Sequence, residues 1–205
     1  MNQKKTLKKW ITIPIYVVAT FFLLARCNDK VKEAPTDTAQ AKKDFNGYES
    51  KEKWGEHLVT IGGCHDCHTP KVMTPMGPDL DSTKLLAGHI AGSPEPQVNR
   101  KEMQDKGLVV TGDLTTWIGP WGTSYTANLT SDETGIGNWN EEQLILALRE
   151  GKYKGLASNR NLLPPMPWQM YKHFTDDEIK AIFAHLKSTK PIKNVVPPPL
   201  PPVTK

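Results

Sequence analysis

Hydrophobic and polar positions divide the chain into stretches of different character. Residues 1–9, MNQKKTLKK, are cationic, and residues 10–25, WITIPIYVVATFFLLA, are uncharged and mostly apolar. Residues 28–46 are polar with scattered apolar positions and no period, which reads as a flexible spacer. Between about Gly47 and Val195 apolar positions recur at helical spacing in three places. Around Glu49–Ile61, Trp54 and Leu58 are four apart, Val59 and Ile61 extend the apolar side, and Gly62 and Gly63 stop the run. After Asn140, an N-cap with Gln143 three residues on, Leu144, Ile145 and Leu148 share one side of a helix that ends at Gly151. Thr175 and Glu178 form a capping box, after which Ile179, Ile182, Phe183 and Leu186 repeat at i, i+3, i+4 and i+7. Pro191 closes that third helix. Residues 69–135 carry many Gly and Pro and only short β-prone pieces such as Leu108–Thr111, which predicts loops and one small hairpin. The last ten residues, VPPPLPPVTK, cannot continue a helix and predict polyproline II or disorder.

The N-terminal pattern reads as an address. As a helix the 16 residues from Trp10 to Ala25 would span about 24 Å, short of the hydrocarbon core of about 30 Å, which suits an export signal. Leu24, Ala25, Arg26 and Cys27 then resemble a bacterial lipoprotein cleavage site, with Cys27 as the lipidated first residue. Arg26 departs from the small residue usual before that Cys, so an uncleaved N-terminal anchor with its lysines in the cytoplasm is the other reading. Both place residues 28 onward on the periplasmic side of a bacterial membrane. The expected organisation is a signal, lipoprotein or anchor segment (1–27), a linker (28–46), one globular domain (47–195) and a Pro-rich tail (196–205).

Charge then changes the picture in one respect. The 205 residues hold 26 Lys and Arg against 22 Asp and Glu, but Lys4, Lys5, Lys8, Lys9 and Arg26 belong to the address segment. Removing these five leaves 21 cations against 22 anions, so the body has no basic excess to bind nucleic acid. It also has no sign that would steer a partner.

The candidate chemistry lies at Cys64, His65, Asp66, Cys67 and His68, a C-x-x-C-H run and the attachment signature of c-type haem. Cysteines three apart in a helical turn present both sulfurs on one side, toward the two vinyl groups of a haem edge. The next residue, His68, is carried beneath the iron as proximal ligand. A bare C-x-x-C also occurs in redox disulfides and zinc sites. A thioredoxin-like pair would follow a strand, and this one follows a helix and two glycines. Zinc would need two further ligands, and no second C-x-x-C or H-x-x-x-H accompanies the pair. Export from the cytoplasm, in contrast, suits covalent haem.

A low-spin carrier needs a sixth ligand, and a thioether favours ferrous iron. Met73, Met76, Met103, Met166 and Met170 are available. Met166 sits in Leu162–Trp168, LLPPMPW, where prolines stiffen an extended strap that could hold one sulfur at a fixed distance. The plainer role for such a residue is to fill an irregular core gap. Met170 is its competitor, and Met73 and Met76 lie too near His68 to reach the opposite haem face. His89, His173 and His185 read as partly exposed surface residues, and Trp117, Trp121 and Trp168 as haem wall or core. Asn128-Leu129-Thr130 matches a glycosylation acceptor, which means little in a bacterial host.

Taken together, WGEHLVTIGGCHDCHTPK, ANLTSDETGIGNWNEEQLILALREGK and LLPPMPWQMYKHFTDDEIKAIFAHLKS resemble a class I c-type cytochrome over about 150 residues. More narrowly, they resemble single haem domains in the cytochrome subunits of bacterial membrane-bound alcohol and gluconate dehydrogenases. The resemblance implies an all-α cytochrome c fold with a loop-rich insertion. It also implies thioethers at Cys64 and Cys67, axial ligation by His68 and Met166, and packing of the first helix near Gly55 across the last near Phe183. Asn128, Thr130 and Trp139 fall in a matching loop that lines or braces the haem pocket, whereas 72–124 matches worst. Implied function is electron transfer through one covalent haem c, from a dehydrogenase or quinol-linked complex to an oxidase or another cytochrome, without catalysis of its own. A gas sensor or peroxide-reacting haem protein with a displaceable sixth ligand is the alternative.

Overall fold

The computed structural model describes residues 44–107 and 109–204. The address segment and most of the linker, residues 1–43, lie outside them. Helix α1 (Lys51–Ile61) starts where the Ser50 hydroxyl accepts from the Lys53 amide and ends as the Gly62 N–H returns to the Leu58 carbonyl. Gly63, in the left-handed region, then launches the short helix α2 (Cys64–His68). Helix α4 (Glu141–Glu150) begins with the reciprocal Asn140/Gln143 capping box and stops at Gly151. Helix α6 (Asp176–Ser188) begins with the Thr175/Glu178 box. In each of the three long helices the caps satisfy end groups that the helix itself leaves unpaired.

Their apolar faces meet in one core. Leu58 and Val59 of α1, Leu144 and Leu148 of α4, and Ile179, Ile182 and Leu186 of α6 pack with Leu86 and Ile136 from the connecting segments. The α1–α6 crossing is close because Gly55 has no side chain. A Cβ there would lie 1.9 Å from the Ala181 carbonyl oxygen and 2.8 Å from the His185 Cβ. The two backbones approach closely at this position, and any larger residue would force the helices apart.

The fold is helical with minor strands rather than purely helical. Two small antiparallel sheets occur where one hairpin was expected. The first pairs β1 (Lys71–Thr74) with β2 (Gly77–Leu80) across Pro75-Met76. The second joins β3 (Val109–Val110), β4 (Thr116–Gly119) and β5 (Gly122–Tyr125). Helix α3 (Arg100–Lys106), capped by Asn99, is also absent from the sequence expectation. These elements are short and separated by connections rich in Pro and Gly, so neither helical nor strand period has room to show. Helix α5 (Trp168–Tyr171) is a single turn after the proline strap.

After α6 the chain runs back without helix to the edge of β5. Thr123 and Leu200 exchange backbone hydrogen bonds of 2.9 and 3.0 Å. Arg100 donates to the Pro201 carbonyl at 2.8 Å and the Val203 N–H to Gln104 at 3.0 Å. Gly122 permits the approach, since a Cβ there would sit 2.1 Å from the Leu200 oxygen.

Candidate functional site

The core opens into a cavity of about 490 Å³. Leu144 and Leu148 of α4, Ile182 and Leu186 of α6 and the Phe174 ring give it apolar walls. Into the same space come Cys64, Cys67 and His68 from α2 and Met166 from the proline strap. The sequence-predicted residues are therefore gathered by one cavity although 98 positions separate Met166 from His68.

His68 is 8 % exposed and its Nδ1 lies 2.8 Å from the Ala127 carbonyl oxygen. A carbonyl only accepts, so Nδ1 carries the hydrogen and Nε2 keeps its lone pair. Burial pushes the imidazole below its ordinary value, against the raising effect of the Ala127 bond. The ring is thus neutral at pH 7, the state in which an imidazole ligates metal.

A network behind the imidazole fixes that carbonyl. The Gly88 N–H donates to the His68 carbonyl at 2.8 Å, and the His89 N–H to the Thr126 carbonyl at 2.9 Å. The Leu86 N–H donates to the Thr69 hydroxyl at 2.9 Å. Asn194 closes the arrangement from the far end of the chain. It donates to the Ala87 and His89 carbonyls at 2.7 and 2.8 Å and accepts from the Ala91 N–H at 2.8 Å. Residues 86–89 are thereby threaded between the end of α2 and segment 126–129, and the Asn194 bonds that close the link, each spanning more than 100 residues, were hidden from sequence reading.

The two cysteines are free and half-buried. Burial is the main cause that pushes the Cys64 thiol up to about 11 and raises that of Cys67, with Asp66 adding to both. Both are protonated at neutral pH, unlike the thiolates of disulfide exchange, which sit in electropositive surroundings. No three His, Cys, Asp or Glu side chains converge as a metal cage among the described residues. Lys71 holds the end of α2, donating to the His65, Asp66 and Thr69 carbonyls at 3.0, 2.9 and 2.5 Å.

On the strap, the Ser124 hydroxyl donates to the Pro164 carbonyl at 2.7 Å and the Leu162 N–H to the Gly151 carbonyl at 2.6 Å. Of the five candidate methionines, Met166 alone lines the cavity. Met170 is 67 % exposed, and Met73 and Met76 stand out on the β1–β2 hairpin.

Other expected residues fall in several places. Asn128 and Trp139 line the cavity. Asn128 also braces it, accepting from the Thr130 N–H and hydroxyl and donating to the Ile192 carbonyl. Trp117 is on the wall, while Trp121 packs on Gly119 and Trp168 on Gly151. His89 is not a surface residue. It is buried, with Nδ1 3.1 Å from the Thr115 and Thr116 hydroxyls and its ring 4.9 Å from that of Tyr125. The hydroxyl cluster replaces the water that a surface histidine would use. Sequence reading also missed Val195, Val196, Pro197 and Pro199 as cavity wall.

The donor set fits a haem. The cavity is apolar enough for a porphyrin face, two thiols lie on the same wall as a neutral imidazole with a free lone pair, and a thioether lines the same space.

No protein-family model matches the chain. Among curated proteins it is 37 % identical over 177 residues to the fructose dehydrogenase cytochrome subunit of Gluconobacter japonicus, covering 85 % of this chain and 28 % of that one. It is 36 % identical over 134 residues to the gluconate 2-dehydrogenase cytochrome c subunit of Pantoea cypripedii, 65 % of this chain and 22 % of that one. To the cytochrome c subunit of the quinone-dependent alcohol dehydrogenase of Gluconacetobacter polyoxogenes it is 27 % identical over 155 residues, 73 % and 27 %. The chain spans less than a third of the length of each of these relatives. These homologues are cytochrome c subunits of bacterial dehydrogenases.

Proposed function

We propose that the protein is a monohaem class I cytochrome c, an electron carrier tethered by its N-terminus to the periplasmic side of a bacterial membrane. Its donor would be a dehydrogenase or a quinol-linked complex, and its acceptor an oxidase or another cytochrome. The supporting observation is the convergence of Cys64, Cys67, His68 and Met166 on one apolar cavity. The kind of subunit its homologues are points the same way.

In this reading Cys64 and Cys67 would hold haem c by thioethers, and His68 and Met166 would be the ligands of its iron. Bound there, haem supplies one-electron exchange between Fe(II) and Fe(III). The chain supplies the rest. Ala127 keeps Nδ1 protonated and the ring oriented, a second-shell bond that strengthens the imidazole as a donor. Leu144, Leu148 and Ile182 exclude water, and the strap holds the Met166 sulfur without help from a flexible loop. The residues from about 28 to 46 would serve as a spacer that keeps the domain near membrane partners.

The test is an optical spectrum, oxidised and then reduced, of the full chain produced with a c-type maturation system. Haem that survives denaturation and a long-wavelength ferric sulfur-to-iron band are expected, the band lost in Met166→Ala and kept in Met170→Ala. Rapid carbon monoxide binding by the ferrous wild type would replace the carrier with a gas-binding protein, and colourless protein would remove haem altogether.

A further inference from the structure

We propose that Lys154 and Arg160, gathered about the Tyr153 ring, form a carboxylate clamp at the rim of the cavity, and that the carboxylates are the two propionates of the haem. This rests on the haem reading above and extends it to residues that no motif marks. A porphyrin's hydrocarbon face suits the apolar walls, but its two carboxylates must be met by donors or reach water.

Most polar groups on the wall are already engaged. Asn128 is held by Thr130 and Ile192, and Thr134 donates to Asp132 and accepts from the Asn194 N–H. Ser124 donates to Pro164 and Tyr125 to Glu95. Trp117 donates to Leu114 and Tyr171 to Gly62. Glu133 has the wrong sign for an anion. The wall's remaining cations are Lys154 and Arg160. Both are exposed, neither takes part in an ion pair among the described residues, and Arg160 spends one N–H of its fork on the Asn161 carbonyl at 2.8 Å.

The local backbone is built to present them. Lys152 and Asn161 pair across a narrow loop in which the Tyr153 N–H donates to the Arg160 carbonyl at 2.9 Å. That pairing sets the Arg160 Cζ 4.0 Å from the Tyr153 ring centroid, with the Lys154 Nζ at 5.7 Å. Lys154 takes φ +56, a left-handed conformation that a lysine adopts only when its surroundings impose it. Gln143 of α4 anchors the turn, donating to the Lys154 carbonyl at 3.3 Å. Gly155 is required beside it, since a Cβ would lie 2.0 Å from the Gln143 carbonyl oxygen. A guanidinium stacked on a ring is oriented in advance for bidentate carboxylate contact.

A clamp of this kind neutralises negative charge near the iron, so removing it should favour the ferric state. The experiment uses the full chain with attached haem, read by spectroelectrochemical titration and by the propionate-bending bands in resonance Raman spectra. Arg160→Gln should lower the midpoint potential and the double variant with Lys154→Gln should lower it further. Arg160→Lys should recover most of the loss. The propionate bands should shift in the same order while the sulfur-to-iron band stays. Lys152→Gln is the control, because that side chain bonds Asn161 at 3.2 Å and is off the cavity wall. Unmoved propionate bands, or a potential that falls as far in the control as in Arg160→Gln, would overturn the clamp alone. Wild-type protein without haem would remove the clamp together with the reading on which it rests.

Discussion

Substituting Gly88 by Ala should injure the protein out of proportion to one methyl group. Gly88 has φ +72, and a Cβ there would lie 2.4 Å from the Thr126 carbonyl oxygen and 2.5 Å from the carbonyl carbon and oxygen of Ala127. The left-handed conformation costs an alanine about 1–2 kcal/mol. The contact adds about 1–3 kcal/mol of overpacking, because its neighbours are backbone atoms that cannot rotate away. Both sides are pinned, by Gly88 N–H to the His68 carbonyl and by His89 N–H to the Thr126 carbonyl. The sum, ~2–5 kcal/mol, corresponds to a melting temperature lowered by ~4–20 °C in a domain of this size. Gly77→Ala is the matched control, since φ is +109 there but nothing lies within 4 Å of a Cβ. It should lose only the conformational part, about 1–2 kcal/mol. Urea unfolding followed by far-UV circular dichroism measures both. If Gly88→Ala loses no more than Gly77→Ala, the packing of residues 86–89 against segment 126–129 does not carry the rigidity assigned to it. The contact falls on the carbonyl that receives His68 Nδ1, so the same variant should also perturb the His68 ring signals in NMR spectra.

Three further outcomes are expected. Asn194→Ala leaves the Ala87 and His89 carbonyls and the Ala91 N–H without their partner, and at about 1 kcal/mol per lost bond it should cost about 3 kcal/mol in the same urea assay; a loss below about 1 kcal/mol would contradict the bracing role. Deleting residues 196–205 removes the Leu200 acceptor of Thr123, so hydrogen exchange at the Thr123 amide should accelerate while α6 amides stay protected; an unchanged Thr123 rate would show that the tail does not hold β5. Burial holds His89 below its ordinary value of 6.5, although Asp113 and Glu95 pull the other way. The unfolded chain therefore binds the proton first as pH falls through 6.5, and stability drops from there toward the folded value while remaining flat above. His89→Gln should reduce the slope of stability between pH 6.5 and 5 without abolishing it, because burial also lowers His65 and His185; an identical slope would exclude His89 as a contributor.

What the sequence determined by itself is what local physics determines. Asn140 with Gln143 and Thr175 with Glu178 mark helix starts because a capping box closes within four residues. The apolar positions of α6 name its buried face for the same reason. C-x-x-C-H is legible because the positions of both sulfurs and the imidazole are set within one turn of helix. Prolines flanking Met166 signalled a stiff strap without saying where it leads.

Only the tertiary structure decided which space the strap borders: Met166, preferred from its prolines, lines the cavity, and Met170 is exposed. It placed His89 inside a hydroxyl cluster whose threonines come from a different part of the chain. It also made Asn194, inconspicuous in a Pro-rich run, the tie between residues 87–91 and the loop around Asn128. The sheets escaped sequence reading because strands of two to four residues carry too little period, and their pairing depends on turns and on the returning tail. The physical division is one of range. Caps and helical faces are settled by neighbours within one or two turns, and the loop carrying Lys154 and Arg160 by partners about ten residues away, whereas the cavity and the brace behind His68 depend on contacts whose partners lie tens to more than a hundred residues away.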